Sequence, residues 1–233
     1  MIIDYEKHIG ESMQDVVNRF KKQYKITDKV AFAGRLDPLA FGIVRLLTGD
    51  DCKLMDEECK HDKIYTFSTI HGFQSDTYDI LGLVTNIIDD SQKNNFKEEL
   101  FDEEKTITQQ YPPYSSKTID VDGKKVRLWE ATKYNMNYND IPTKEVKIHY
   151  IKKINENFVD GNNIYNTIKC LINTVNGDFR QKEILEKWEK NIDVNKIYKC
   201  CMYETKISSG GYVRSIANSM GSVAFNICRK QYI

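Results

Sequence analysis

The run Gly34-Arg35-Leu36-Asp37-Pro38-Leu39-Ala40-Phe41-Gly42 sets an aspartate between glycines and directly before a proline. Glycine lets a backbone turn tightly and approach a ligand closely, and the residue before a proline is kept out of the α region. Asp37 is therefore presented on a stiff turn. Alone, such a turn is ordinary, because Asp-Pro is common in purely structural turns. Its weight depends on four further blocks: Lys7-His8-Ile9-Gly10-Glu11-Ser12; Lys63-Ile64-Tyr65 leading into Gly72-Phe73-Gln74-Ser75-Asp76-Thr77-Tyr78-Asp79-Ile80-Leu81-Gly82; Gln110-Tyr111-Pro112-Pro113-Tyr114-Ser115-Ser116-Lys117 with Asp122-Gly123-Lys124-Lys125; and Ser208-Ser209-Gly210-Gly211-Tyr212-Val213-Arg214-Ser215-Ile216.

In order and spacing these five blocks resemble the TruB family of pseudouridine synthases, over about residues 5 to 221. Five co-linear blocks are far more specific than any one of them. The resemblance implies a pseudouridine synthase fold and the isomerisation of a flipped-out uridine, the T-loop uridine 55 of tRNA, without metal, nucleotide or redox cofactor. It implies that Asp37 acts on the target nucleotide so that the glycosidic bond breaks, the uracil rotates and it reattaches through carbon. Tyr65 matches the tyrosine that packs against the base and helps remove the final proton, and Arg214 matches the arginine that pairs with the catalytic carboxylate. The resemblance also implies substrate contacts at Lys7, Gly34, Arg35, Asp79, Lys117 and Tyr212. Two other readings remain open: the same chemistry on another structured RNA, and a catalytically silent RNA-binding or chaperone protein with this fold.

The chain departs from the family pattern in places. Phe32 stands where bacterial members usually carry histidine, Arg35 replaces their threonine, and His8 replaces the proline of the first block. Gly-Arg-Leu-Asp also surrounds the catalytic aspartate of synthases that modify ribosomal RNA, so that tetrapeptide does not assign the substrate. Family members typically continue into a C-terminal RNA-binding PUA domain, and the expectation here is a single catalytic domain over 1–233 without one.

Physical chemistry supports the same roles. A carboxylate that must stay ionised in a dry pocket needs a cation or donors nearby, or desolvation raises its pKa and neutralises it. Arg214, permanently charged, suits that task. It is expected in the first turn of a helix after a glycine-rich segment, whose free N–H groups would favour an anion. An aromatic such as Tyr65 offers a stacking face for an extruded base. Extrusion is required because the glycosidic bond cannot be reached while the base is stacked.

The elements that must position these residues can be read from periodicity. Ser12 with Asp15 three residues on forms a capping box, and Met13, Val16, Val17, Phe20 and Tyr24 follow at helical spacing, predicting a helix from about 12 to 24. Strands are predicted over 64–70, 80–88, 117–121, 146–154 and 197–207. Val213, Ile216, Ala217, Met220, Val223, Ala224 and Ile227 keep the i, i+3, i+4, i+7 period and predict a closing amphipathic helix. Strands mixed with a few helices, without βαβ alternation, indicate α+β, a mixed, mostly antiparallel central sheet flanked by helices. Residues 89–106 and 161–196, the latter with a helical segment near Gln181 to Lys190, read as surface insertions.

Composition narrows the remaining classes. Lys+Arg and Asp+Glu are both 34, so the net charge is zero and RNA affinity must come from charge distribution. Residues 89–104 hold seven acids and two lysines, whereas 117–153 hold nine Lys/Arg against five acids. The six cysteines form no CxxC pair and the four histidines lack metal-ligand spacing, so zinc is not expected and reduced thiols are. The N-terminus lacks the basic and apolar regions of a signal peptide, and no segment reaches membrane-spanning length. A soluble, cytoplasmic monomer is expected, with the T arm of tRNA or another structured RNA as partner and neither membrane nor metal.

Overall fold

The computed structural model describes residues 1–89, 92, 96–133 and 140–233. Part of the acidic segment predicted as an insertion (90, 91 and 93–95), and 134–139 within the basic region, lie outside the described residues. The chain runs β1 (Ile2–Lys7), α1 (Met13–Tyr24), β2 (Val30–Ala33), β3 (Phe41–Thr48), a 3₁₀ turn, α2 (Met55–Glu58), β4 (Lys63–His71), β5 (Phe73–Ser75), β6 (Val84–Ile87), β7 (Lys105–Gln110), β8 (Thr118–Val121), β9 (Lys124–Arg127), α3 (Leu128–Lys133), β10 (Thr143–Asp160), α4 (Gly161–Asn173), α5 (Gln181–Asn191), β11 (Ile197–Ile207), α6 (Val213–Ser219) and β12 (Ser222–Tyr232).

One eight-stranded sheet in the order β1-β3-β12-β4-β11-β10-β7, with β2 also on β3, carries the fold, and β5–β6 and β8–β9 form separate ribbons. Every pairing is antiparallel except β3 with β12. The expected mixed, mostly antiparallel sheet flanked by helices is what forms. Its central strands β4 and β11 alternate buried and half-buried positions, as β-branched and aromatic residues at period two should.

Two apolar clusters hold the helices on. Val16, Val17 and Phe20 of α1 and Val213, Ile216 and Ala217 of α6 pack with Phe67, Val146, Ile148 and Tyr203 of the sheet. Ile164, Ile168 and Ile172 of α4 and Ile184 and Trp188 of α5 pack with Phe73, Ile80, Val84 and Tyr198. Helix α1 begins with the expected capping box: the Ser12 hydroxyl accepts from the Asp15 amide at 3.1 Å, and the Asp15 carboxylate accepts from the Ser12 amide at 2.8 Å. Such a cap is worth about 1 kcal/mol.

The closing segment differs from its periodicity. The helix stops at Ser219, Gly221 turns the chain at φ +66°, and Ser222–Tyr232 become β12, wedged between β3 and β4. Val223 and Ile227 fit a strand period as well as a helical one, Phe225 fits the strand period alone, and these β-branched or aromatic side chains favour the strand once two neighbours offer pairing. The 80–88 prediction shrinks to Val84–Ile87, because Ile80 to Gly82 form a turn. Strand β10 extends well beyond 146–154, and 161–173, which carried no helix prediction, are helical with Asp160 as N-cap.

No helix among the described residues is long and apolar enough to cross a membrane. At the start of β3, Gly42 has φ +99°, and a Cβ there would run into the carbonyl oxygen of Arg229 on β12. Gly42→Ala should therefore cost about 2–3 kcal/mol in urea unfolding; an unchanged midpoint would mean that the β3–β12 contact yields.

Candidate active site

β2 ends at Ala33, Gly34 (φ +79°) redirects the chain, and the Ala40 amide donates to the Asp37 carbonyl at 3.0 Å to close the Asp-Pro turn. The turn is tied down from beneath. Lys7, fully buried, donates from Nζ to the carbonyls of Pro38 at 2.9 Å, Ala40 at 2.6 Å and His8 at 3.1 Å. Arg229, equally buried, donates from Nη2 to the Gly34 carbonyl at 3.1 Å and from Nε to that of Ile43 at 2.6 Å. The Tyr232 hydroxyl donates to the Ala33 carbonyl at 2.5 Å. Burial pulls the Lys7 ammonium down to about 8, although Glu11 and Asp37 oppose the shift. Lys7 thus lies below the turn and not on a cavity wall.

Above the turn, Arg214 Nε approaches Asp37 Oδ2 at 2.9 Å and Asp79 Oδ2 at 3.7 Å, while Nη1 donates to the Thr77 carbonyl at 2.6 Å. The Arg214 side chain is 4% exposed and that of Asp37 42%. The cation is sealed and the carboxylate is open. Nε is buried without an aligned hydrogen bond, so its contact with Asp37 is an ion pair. Burial alone would lower the pKa of Arg214, but Asp37 and Asp79 together raise it. Asp79 accepts from the Thr77 hydroxyl at 2.7 Å and the Leu81 amide at 3.0 Å. Burial nevertheless pushes its carboxyl up to about 6, against the pull of Arg214 and with the help of Asp37.

Asp37 stands where two cavities meet. The first, about 500 Å³, is walled by Tyr65, Tyr212, Arg35, Lys117, Arg127 and Arg214 among others, with Asp37 its only carboxylate among the described residues. The second, about 450 Å³, is walled by Pro38, Leu81, Tyr114, Trp129, Phe179 and Arg180 among others, and shares Arg35, Asp37 and Arg214 with the first. Both have the size of small-ligand sites. Tyr65 is buried on β4, its hydroxyl 3.4 Å from Arg229 Nη1. Tyr212 stands edge-on to Tyr111 at 5.7 Å, its phenol raised first by burial and then by Asp37.

All the predicted site residues except Lys7 line this cleft: Gly34, Arg35, Asp37, Tyr65, Lys117, Tyr212 and Arg214 on the first cavity, and Asp79 on the second. The positions that depart from the family pattern sit in local structure. The Arg35 guanidinium lies over the Phe32 ring at 5.3 Å, and the His8 amide donates to Glu11 at 2.7 Å. The glycine-rich turn differs from expectation, because the Gly211 amide donates to Ser208 and the Tyr212 amide to Gln109, so neither is free for an anion. Sequence reading missed Arg229, Tyr232 and Arg180. The first two lie on β12 beyond Ile227, where the predicted helix ended, and only a β assignment continuing through them faces them toward the Asp37 turn.

A partly open carboxylate over a sealed arginine, in a cleft with aromatic walls and several cations, suits an enzyme acting on a flat group attached to an anionic chain. Comparison with known proteins agrees. Residues 21–175 match the TruB family pseudouridylate synthase (N terminal domain), well over half of the chain, and the chain belongs to the TruB family. It is 33% identical over 222 residues to tRNA pseudouridine synthase B of Fusobacterium nucleatum, covering 94% of this chain and 61% of that protein. To tRNA pseudouridine synthase B of Clostridioides difficile it is 30% identical over 174 residues, covering 72% and 54%. The chain thus spans little more than half the length of the curated relatives it matches. A chain in the crystal structure of a Cbf5-Nop10-Gar1 complex superposes with a TM-score of 0.51 at 14% identity, covering 99% of this chain and 48% of that one, a likeness of fold alone.

Because Asp79 holds its proton more tightly when folded, its stabilising contribution is fully present below the ordinary value of 3.8 and is lost as pH rises through about 6. The stability of the wild type relative to Asp79→Asn should therefore fall between those limits and level off above them, as measured by urea unfolding at a series of pH values. Arg214→Leu should cost about 3–5 kcal/mol, because it strands Asp79 without its cation. Adding Asp79→Asn to that variant should recover most of the loss, and an additive further loss would separate the two residues.

Proposed function

We propose that this chain is the catalytic unit of an RNA pseudouridine synthase, and that its substrate is the T-loop uridine of tRNA. The observation that carries the reading is the 2.9 Å Asp37–Arg214 contact at the junction of two nucleotide-sized cavities. The relatives' printed name, tRNA pseudouridine synthase B, supports the choice of RNA. The uridine leaves its stack, which costs roughly a few kcal/mol, and enters the cleft against Tyr65. Asp37, paired with Arg214, acts on it. The bond from C1′ to N1 breaks, the uracil turns, and a bond from C1′ to C5 forms; C5 then loses its proton, with Tyr65 assisting, and N1 gains one. Asp79 holds Arg214 from the other side. Arg35 and Lys117 meet phosphates, Tyr212 lines the cavity, Gly34 allows close approach, and Lys7 secures the turn.

The protein works as a monomer, on this reading, in the reducing cytoplasm, where its free cysteines persist. The test is incubation with unmodified tRNA and mapping of pseudouridine by carbodiimide chemistry. A product in the T loop is expected; a product only in other RNAs would change the substrate, and none in any RNA would leave the silent RNA-binding protein. Asp37→Asn should abolish turnover while RNA binding and the unfolding midpoint stay near wild type, since it removes a charge and keeps the shape. Retention of a tenth of the activity would remove Asp37 from the chemistry. Tyr65→Phe should lower the rate more than it weakens binding, and equal losses would reduce the tyrosine to packing.

A further inference from the structure

The segment 161–196, predicted as a surface insertion, forms helices α4 and α5 and reaches the active site through Arg180, which joins them, and Trp188 of α5. Arg180 precedes α5 with φ +62°, a left-handed conformation that arginine seldom adopts and that points to a local requirement. Its Nη1 donates to Asp76 Oδ2 and to the Tyr114 hydroxyl, at 2.8 and 3.1 Å, and its guanidinium lies over the Tyr114 ring at 4.5 Å. Asp76 is buried, and its other oxygen accepts from the Leu83 amide at 2.8 Å, closing the loop 76–83 at its base. From α5, the buried Trp188 indole donates to the Ile80 carbonyl at 3.1 Å in the middle of the same loop. Between these two anchors lie the Thr77 carbonyl and the Asp79 carboxylate, which hold Arg214, and Tyr78, itself at φ +66°. A strained loop keeps its shape only when its surroundings over-determine it.

We propose that Arg180 is a positioning residue for the reaction: through Asp76 and Tyr114 it fixes the loop that orients Arg214, and so aims Asp37, which makes the α4–α5 hairpin part of the catalytic apparatus. The proposal rests on the pseudouridine synthase reading above. A displacement of about 1 Å in a reacting group can cost up to about a hundredfold in rate, so a remote anchor is enough to matter.

The experiment measures single-turnover tritium release from a tRNA transcript carrying [5-³H]uridine, together with the Kd for that transcript, for wild type, Arg180→Ala, Arg180→Lys, Asp76→Asn and the Arg180→Ala/Asp76→Asn double variant. Arg180→Ala should slow release about 10- to 100-fold with Kd within about twofold. Arg180→Lys, which keeps a charge for Asp76, should recover most of the rate, and the double variant should be no slower than the slower single, since both cut the same link. A weakened Kd with an unchanged rate would make Arg180 an RNA contact, and additive losses or a wild-type rate in Arg180→Ala would also overturn the proposal. If Arg180→Ala does not fold, a rate in Arg180→Lys as low as in Asp76→Asn overturns it, and recovery in Arg180→Lys alone supports it. A wild-type protein that forms no pseudouridine in any RNA would overturn the functional reading, and this inference with it, whereas an active wild type with indifferent Arg180 variants would overturn only the inference.

Discussion

Arg214 is the interaction on which the site depends. A guanidinium sealed from water is tolerated only when its charge is matched and its donors are used. Here the match is divided between Asp37, which is partly open, and Asp79, which is buried. Two carboxylates share one cation, and the buried one carries the cost: Asp79 is raised toward neutrality by desolvation. The asymmetry leaves the charge of Arg214 directed mainly at Asp37, the member of the pair that a substrate can reach. The depth of Asp79 is therefore part of how Asp37 can be both accessible and paired.

The same requirement explains the cations beneath the turn. Lys7, Lys63 and Arg229 are buried, and each donates to backbone carbonyls with no carboxylate within salt-bridge distance among the described residues. Lys7 and Lys63 are both pulled down to about 8, first by burial, and Arg229 lowers both further by charge repulsion. Cations placed this way cost stability. What Lys7 and Arg229 supply is an Asp-Pro segment held by its Gly34, Pro38 and Ala40 carbonyls, and together with Lys63 a positive environment near Asp37, the only carboxylate on the first cavity among the described residues.

Much of this was legible in the sequence where the signal was local. The Asp37 turn follows from glycine and proline chemistry, α1 from its capping box, and β4 and β11 from period-two alternation, because each depends on neighbours a few residues away. The failures are tertiary. Val223 and Ile227 satisfy helical and strand periods alike, and only the edges of β3 and β4 decide between them. That choice hid Arg229 and Tyr232, whose function depends on facing a turn nearly two hundred residues earlier. Arg180 was hidden for another reason: a charged residue in an Asn- and Lys-rich stretch reads as solvated surface until the hairpin's isoleucines are seen to pack against Phe73 and Ile80.

The zero net charge, which conveyed nothing at the level of composition, takes on meaning once the ion pairs are located. Along β10 and β11, Lys147 is paired with Glu104, Lys152 with Asp102, and Lys153 and Lys199 with Glu98 and Glu156. Most of those acids belong to the acidic segment, so it neutralises lysines of the sheet and not those of the cleft. At the first cavity, Arg35, Lys117 and Arg127 have no carboxylate within salt-bridge distance of their cationic groups among the described residues, and the Arg127 guanidinium donates to the Ser116 carbonyl and the Thr118 hydroxyl. Cations without a fixed partner are the ones able to exchange bound counterions for phosphates, whereas cations already paired release none. A neutral protein can thus present a basic cleft, with the acidic segment confining the positive charge to the surface where an RNA backbone would gain from it.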